Sequence, residues 1–351
     1  MRRTNLIARS QRPRMVASCA AIAGDGKWNV CLLGYKTTVV FWFATIDFLK
    51  ITSLSSIWLA LLFLSETIFE MCSSFPKGVS LSSKRLESYI EMLSKAFEKS
   101  EEVIRFVDNM SNGNLRKALD FIVTFVGSAH VDSEKIFRVI EASGNYTLPL
   151  HEFLRAVIFQ DNEYYNSADS QIQNLYDVSS NDKHEHFLVS ILISYVERMG
   201  LTGGNEGFVL ISDVLGYLQG LGFTEHQIHS ALQRTTTKDL LATPKIEAPT
   251  LTSGLRIQSA GAYTIKRLAT LFTYTDAIIT DTPIMISEYR TRIQAAYTID
   301  ERLERATSFL DYLDNCWDPK MAGVYDWMSI SQLVRKDIVS IRNRINSRSN
   351  K

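Results

Sequence analysis

After Val79, apolar residues recur three and four positions apart along most of the chain, the spacing that gathers them on one face of an α-helix. Leu86, Tyr89, Ile90, Leu93 and Phe97 predict a helix over 81–99, and 101–110 predicts a second. Leu115, Ala118, Leu119, Ile122 and Val126 form the stripe of a third, which Gly127 ends. Asp132 caps a further predicted helix, and Pro149 opens one holding Phe153, Leu154, Val157 and Ile158. The polar, turn-rich run 161–182 then reads as a connector.

A new pattern follows. Phe187–Met199 and Phe208–Leu221 predict two helices, and Thr224 with Gln227 makes the capping box of a third. Leu240–Ala242 and Leu255–Ile257 are short strand candidates around a Pro/Thr/Ser-rich excursion. Three helices and a long-tipped hairpin form the pattern of a winged helix-turn-helix. Helix is expected to return over Gly261–Tyr274. In the last section Thr298 and Glu301 form another capping box, and Ile330, Leu333, Val334, Ile338 and Ile341 mark the final helix. The expected organisation is a basic segment 1–36, a hydrophobic segment 37–75, a helical unit 79–160, a connector 161–186, a winged-helix unit 187–284 and a helical tail 285–351. The fold class is mainly α.

Composition adds little to this and removes some options. The 351 residues carry 38 Lys and Arg against 38 Asp and Glu, so no net charge draws the whole chain to polyanions. Cys19, Cys31, Cys72 and Cys316 lack paired spacing, which suits reduced thiols and a cytoplasmic location. Residues 37–72 are the most apolar stretch. Asp47 and Lys50 interrupt it, which favours core material and leaves a membrane anchor as the alternative.

The clearest chemical signal is Ser111-Asn112-Gly113-Asn114-Leu115-Arg116. Asn112 and Gly113 tolerate turn conformations, Asn114 is a good N-cap, and Arg116 falls in the first helical turn. Backbone N–H groups and the helix dipole there suit a phosphate. Lys117 is read as a solvated charge off that face. His184, His186, His226 and His229 lack accompanying ligands at metal spacing and read as solvated or capping histidines. No serine carries a nucleophile-elbow glycine pattern. Should the winged helix touch DNA, its contacts would be Gln227, Gln233 and Arg234 on the third helix, with Lys245 and Arg256 on the hairpin.

Ser111–Leu119, followed by Phe125–Asp132, resembles the lid region of prokaryotic AAA+-related and STAND-type P-loop ATPases. Phe153–Ile158, Asp161–Tyr165, Tyr274–Ala277 and Asp281–Ile284 resemble later phrases of the same proteins. The resemblance implies that Arg116 is a sensor-2 residue reading a terminal phosphate, with Asn112, Gly113 and Asn114 shaping its turn. It also implies a winged helix packed on an ATPase core. The chain departs from the family in its catalytic motifs. Gly24-Asp25-Gly26-Lys27-Trp28 has Ala21 where the first phosphate-loop glycine belongs and Trp28 where the hydroxyl belongs, and Asp47 is followed by Phe48 rather than by an acid. The chain therefore reads as the C-terminal part of such an ATPase: a non-catalytic regulatory or interaction module. It is expected to hold no cofactor alone, ATP and magnesium being implied only for an intact relative. Its expected partner is a protein or a separate ATPase core. The alternatives are a winged-helix DNA-binding regulator and an ATPase fragment tethered to a membrane through residues 37–72.

Overall fold

The computed structural model describes residues 96–128, scattered positions within 136–142, and 146–349 apart from 161, 204–205 and 244–253. The apolar segment 37–72, the helix expected over most of 81–99, the cap Asp132 and Lys245 lie outside the described residues. Those described are mainly helical and belong to one compact unit.

Three helices open it: α1 (Glu101–Met110), α2 (Leu115–Gly127) and α3 (Leu150–Phe159). Their stripes meet in an aromatic core. Phe97 stands edge-on to Phe125 and Phe153, Phe106 edge-on to Phe121 and Phe153, with centroids 5.5–5.8 Å apart. Such edge-to-face pairs add about 0.5–1.5 kcal/mol each to the burial of their rings. The buried stripe of α2 is Leu119, Phe121, Ile122 and Phe125, and Leu115, Ala118 and Val126 are only half-buried. The expected stripe is thus rotated toward the two phenylalanines, because their larger apolar area wins the inward face.

Within the run 162–186, read from sequence as a connector, the chain is packed into the core. Ile172, Asn174, Leu175 and Tyr176 are fully buried. Side chains supply the hydrogen bonds that this irregular backbone cannot make to itself. Tyr165 OH receives the Asn174 N–H at 3.0 Å and donates to Ile172 O at 2.9 Å. Tyr274 OH receives the Leu175 N–H at 3.0 Å and donates to Gln173 O at 2.7 Å. A 3-10 turn, Lys183–Phe187, leads into the next helix.

The middle of the unit runs α4 (Leu188–Thr202), β1 (Val209–Leu210), α5 (Ile211–Gly220), α6 (Glu225–Thr237), β2 (Leu241–Ala242) and β3 (Gly254–Ile257). The strands form an antiparallel sheet of order β1-β3-β2. The helix expected from Phe208 starts later, at Ile211, because Val209 and Leu210 are extended to pair with Leu255 and Gly254. The Thr224 and Gln227 capping box is formed.

After β3 the expected single helix is broken in two. α7 (Ser259–Lys266) packs on α1 and α4, a 3-10 turn covers Leu268–Thr270, and α8 (Phe272–Ile278) packs on α3. The N-terminus of α8 is held by Asp337, whose carboxylate accepts the Phe272 N–H at 2.9 Å. The tail adds α9 (Ser287–Arg290), α10 (Ile299–Cys316) and α11 (Trp327–Ser349). The Thr298 and Glu301 capping box opens α10 as expected. α10 and α11 are joined by the Trp327 indole N–H on Asp314 at 2.7 Å, and by Arg335 on Asp311 and Asp314 at 2.8 and 2.7 Å. The stripe of α11 is Trp327, Ser331, Val334 and Ile338, with Leu333 exposed. Among the described residues, no helix is long and apolar enough to cross a membrane.

Candidate functional site

The turn between α1 and α2 needs two consecutive left-handed residues to reverse the chain in so few steps. Asn112 has φ 54° and Gly113 φ 74°. Glycine pays no steric cost there, and asparagine is among the side chains that tolerate the region. Asn114 then caps α2 by accepting the Lys117 N–H at 3.2 Å. Arg116 follows on the exposed face of the first turn. Its charge acts on Asp120, one turn along, where burial outweighs the guanidinium and holds the carboxyl above its ordinary range.

The turn is also bolted to distant chain. The Asn112 amide donates to Asp239 O at 2.9 Å, just past the end of α6, and its carbonyl oxygen accepts the Ala260 N–H at 2.8 Å at the start of α7. Asp239 is itself left-handed, with φ 55°. Lys117, read from sequence as a solvated charge, pairs with the Asp239 carboxylate at 3.0 Å. Asn112 therefore has a role beyond shaping the turn: it ties the three-helix core to both ends of the β2–β3 hairpin. Nothing local in the sequence announces this, since the partners lie well over a hundred residues away.

The structure divides the side chains singled out for DNA. Gln227 is buried. Its amide donates to Ser180 Oγ at 2.9 Å, Asp182 at 3.1 Å and Glu185 at 3.2 Å, while its oxygen accepts from Thr224. Arg234 turns inward to Asp177 at 2.9 Å and Glu185 at 3.7 Å. Both side chains hold α6 onto the segment before α4, Gln227 from a buried position and Arg234 from a partly exposed one. Gln233 is exposed beside His226 and His229, lining a shallow groove. Arg256 is exposed and lies over the Phe208 ring at 4.8 Å.

No known protein family, curated protein or solved structure matches the chain. Its chemistry therefore rests on its own geometry. Among the described residues no three His, Cys, Asp or Glu side chains gather as a metal site. His186 is fully buried. Its Nδ1–H donates to Tyr176 O at 2.5 Å, and Nε2 accepts from Tyr312 OH at 2.7 Å. Burial holds this imidazole below its usual pKa, so it is neutral at pH 7. It is a core residue rather than the solvated or capping histidine expected.

Two further clusters escaped the sequence reading. Glu185 is fully buried, and its oxygens accept from the N–H and hydroxyl of both Ser179 and Ser180 at 2.6–2.9 Å. Burial alone would raise its pKa, but these bonds and that from Gln227 outweigh it and hold the carboxyl below its ordinary range. On the other side of the core Asp276 of α8 is buried between Arg302 and Arg305 of α10. The one sequence signal for that cluster is the i, i+3 spacing of the two arginines.

Proposed function

We propose that the chain is a non-catalytic interaction module on a P-loop ATPase plan, with a lid-like helical body before residue 160 and a winged helix over 187–284. The succession helix, strand, two helices and a hairpin, with β3 between β1 and β2, supports the winged-helix reading. The observation that carries the functional reading is the Asn112 clasp. It fixes the α1–α2 turn to Asp239 and Ala260 while Arg116 sits exposed at the start of α2. A turn held this firmly presents its arginine in one orientation, as suits a side chain that reads a phosphate carried by a separate ATPase core. Nucleotide and magnesium belong to that core in this reading, and the chain itself contributes position and charge.

The test is ATP turnover by the purified full chain with magnesium. The expected result is phosphate release no faster than in a protein-free control. Turnover that the Arg116→Ala variant abolishes would overturn the reading.

A further inference from the structure

The cluster around Asp276 is unbalanced in charge. Its carboxylate accepts from Arg302 Nε at 2.9 Å and from Arg302 Nη2, and on its other oxygen from Arg305 Nη2 at 2.8 Å. A third guanidinium, Arg155 of α3, approaches the same group because α3 and α10 both pack on α8. Arg155 lies 5.9 Å from the Phe159 ring centroid and feels the attraction of Asp276 and the repulsion of Arg302. Of the charges acting on Arg155, Asp276 is the attractive one. Among the described residues, three permanent cations thus share one anion. The Nε atoms of Arg155 and Arg305 are both buried with no hydrogen-bond partner, and Arg305 as a whole is 91% buried, being 9% exposed. Buried guanidinium N–H groups without acceptors are costly, and such an excess of fixed donors calls for a further anion.

The cluster also reaches the surface. The Arg302 side chain is 22% exposed and Arg155 is half-buried. Tyr297, 87% exposed, binds through its N–H to Glu301, in the same first turn of α10 as Arg302. Tyr164, 57% exposed, follows α3 and lies within electrostatic reach of Tyr297. Glu301 accepts the backbone N–H groups of Tyr297 and Thr298, Glu163 lies beside Tyr164, and among the described residues neither makes an ion pair with the three arginines.

We infer that Arg155, Arg302 and Arg305 form a binding site for a phosphate dianion at the junction of α3, α8 and α10. The unsatisfied guanidinium N–H groups are the contacts it would fill. Planar guanidinium forks match phosphate oxygens two at a time, and a dianion cancels the charge left over by Asp276. Both inorganic phosphate and the phosphate of a mononucleotide present this chemistry. The exposed Tyr297 ring, next to the first turn of α10, and the exposed Tyr164 ring within its electrostatic reach distinguish the two sources, since only a nucleotide brings a base to stack on them.

The experiment titrates the full chain calorimetrically with inorganic phosphate and, separately, with AMP, and follows thermal unfolding with and without each. Saturable binding and a rise in Tm are expected, because a ligand that binds only the folded chain stabilises it by mass action. Arg155→Gln should weaken binding by about tenfold or more, as the loss of a charge-assisted fork does. Without ligand this variant should melt no lower than the parent, since it removes a cation repelled by Arg302. Arg155→Lys keeps the charge but loses the fork, and should fall between the two. AMP binding more tightly than phosphate, with the difference lost on Tyr164→Ala, assigns the nucleotide source; equal binding assigns free phosphate. No saturable binding of either probe by the parent chain, or binding and Tm gain unchanged in Arg155→Gln, overturns the inference.

Discussion

Glu185 and His186 are neighbours in sequence with opposite chemistry, and both make the fold sensitive to acid. His186 is held neutral, its folded pKa below the ordinary 6.5, because a buried imidazolium would lack solvent. As pH falls below about 6.5 the unfolded chain takes up this proton before the folded one does. The stability contributed by the neutral ring is therefore complete above that pH and is lost as pH falls toward the folded value. Glu185 has the same sign at lower pH: its contribution is complete above its ordinary 4.5 and is lost as pH drops through the depressed folded value. Urea midpoints measured from pH 7.5 down to 5 should decline in the parent chain, and the decline should flatten in His186→Gln, whose baseline stability is lower by about 1–3 kcal/mol. Glu185→Gln should cost about 3 kcal/mol at pH 7, because its NH2 would face the donors of one of the two serines and the lost charge leaves Arg234 with Asp177 alone.

Elements with strong local signals were legible from residue types alone. The two capping boxes and the Asn114 cap fall where local hydrogen bonding dictates, and α3 starts after Pro149, whose ring fixes φ near the helical value. β1 was not legible. Two residues are too few to show a strand's alternation, and what extends them is β3, far along the chain. The burial within 162–182 was not legible for a related reason: the run is polar, but Asn174 and Tyr165 direct their polar atoms inward to backbone groups. Two substitutions test how closely the elements are fitted. A Cβ on Gly261 in α7 would stand 2.3 Å from Leu240 O, a backbone atom that cannot swing away. Gly261→Ala should destabilise by about 1–3 kcal/mol or more, measured by chemical unfolding. Asn112→Ala loses both clasp bonds and places alanine at φ 54°, and should cost about 2–3 kcal/mol by the same measurement. Asn112→Gly, which relieves the backbone alone, should recover part of that.

At the scale of the whole molecule, sequence revealed the helical class and the succession of helices and hairpin, since these follow from periodicity. It could not reveal which segments meet. The candidate phosphate-reading turn, the hairpin ends and α7 converge on Asn112, and Asp276 draws together α3, α8 and α10, through side chains scattered across the sequence. Polarity shows that Arg155, Arg302 and Arg305 are charged; only the fold shows that one carboxylate serves all three.

The position of β3 also sets a temporal order. It is the last strand made and the only one that bonds to both others. As the chain emerges from the ribosome, β1 and β2 lack their described partner until Gly254–Ile257 has cleared the exit, and α7, which carries one end of the Asn112 clasp, comes later still. A nascent chain stopped before that point would display two open strand edges and a helical core clasped only through Asp239, the kind of surface that chaperones hold and that invites aggregation.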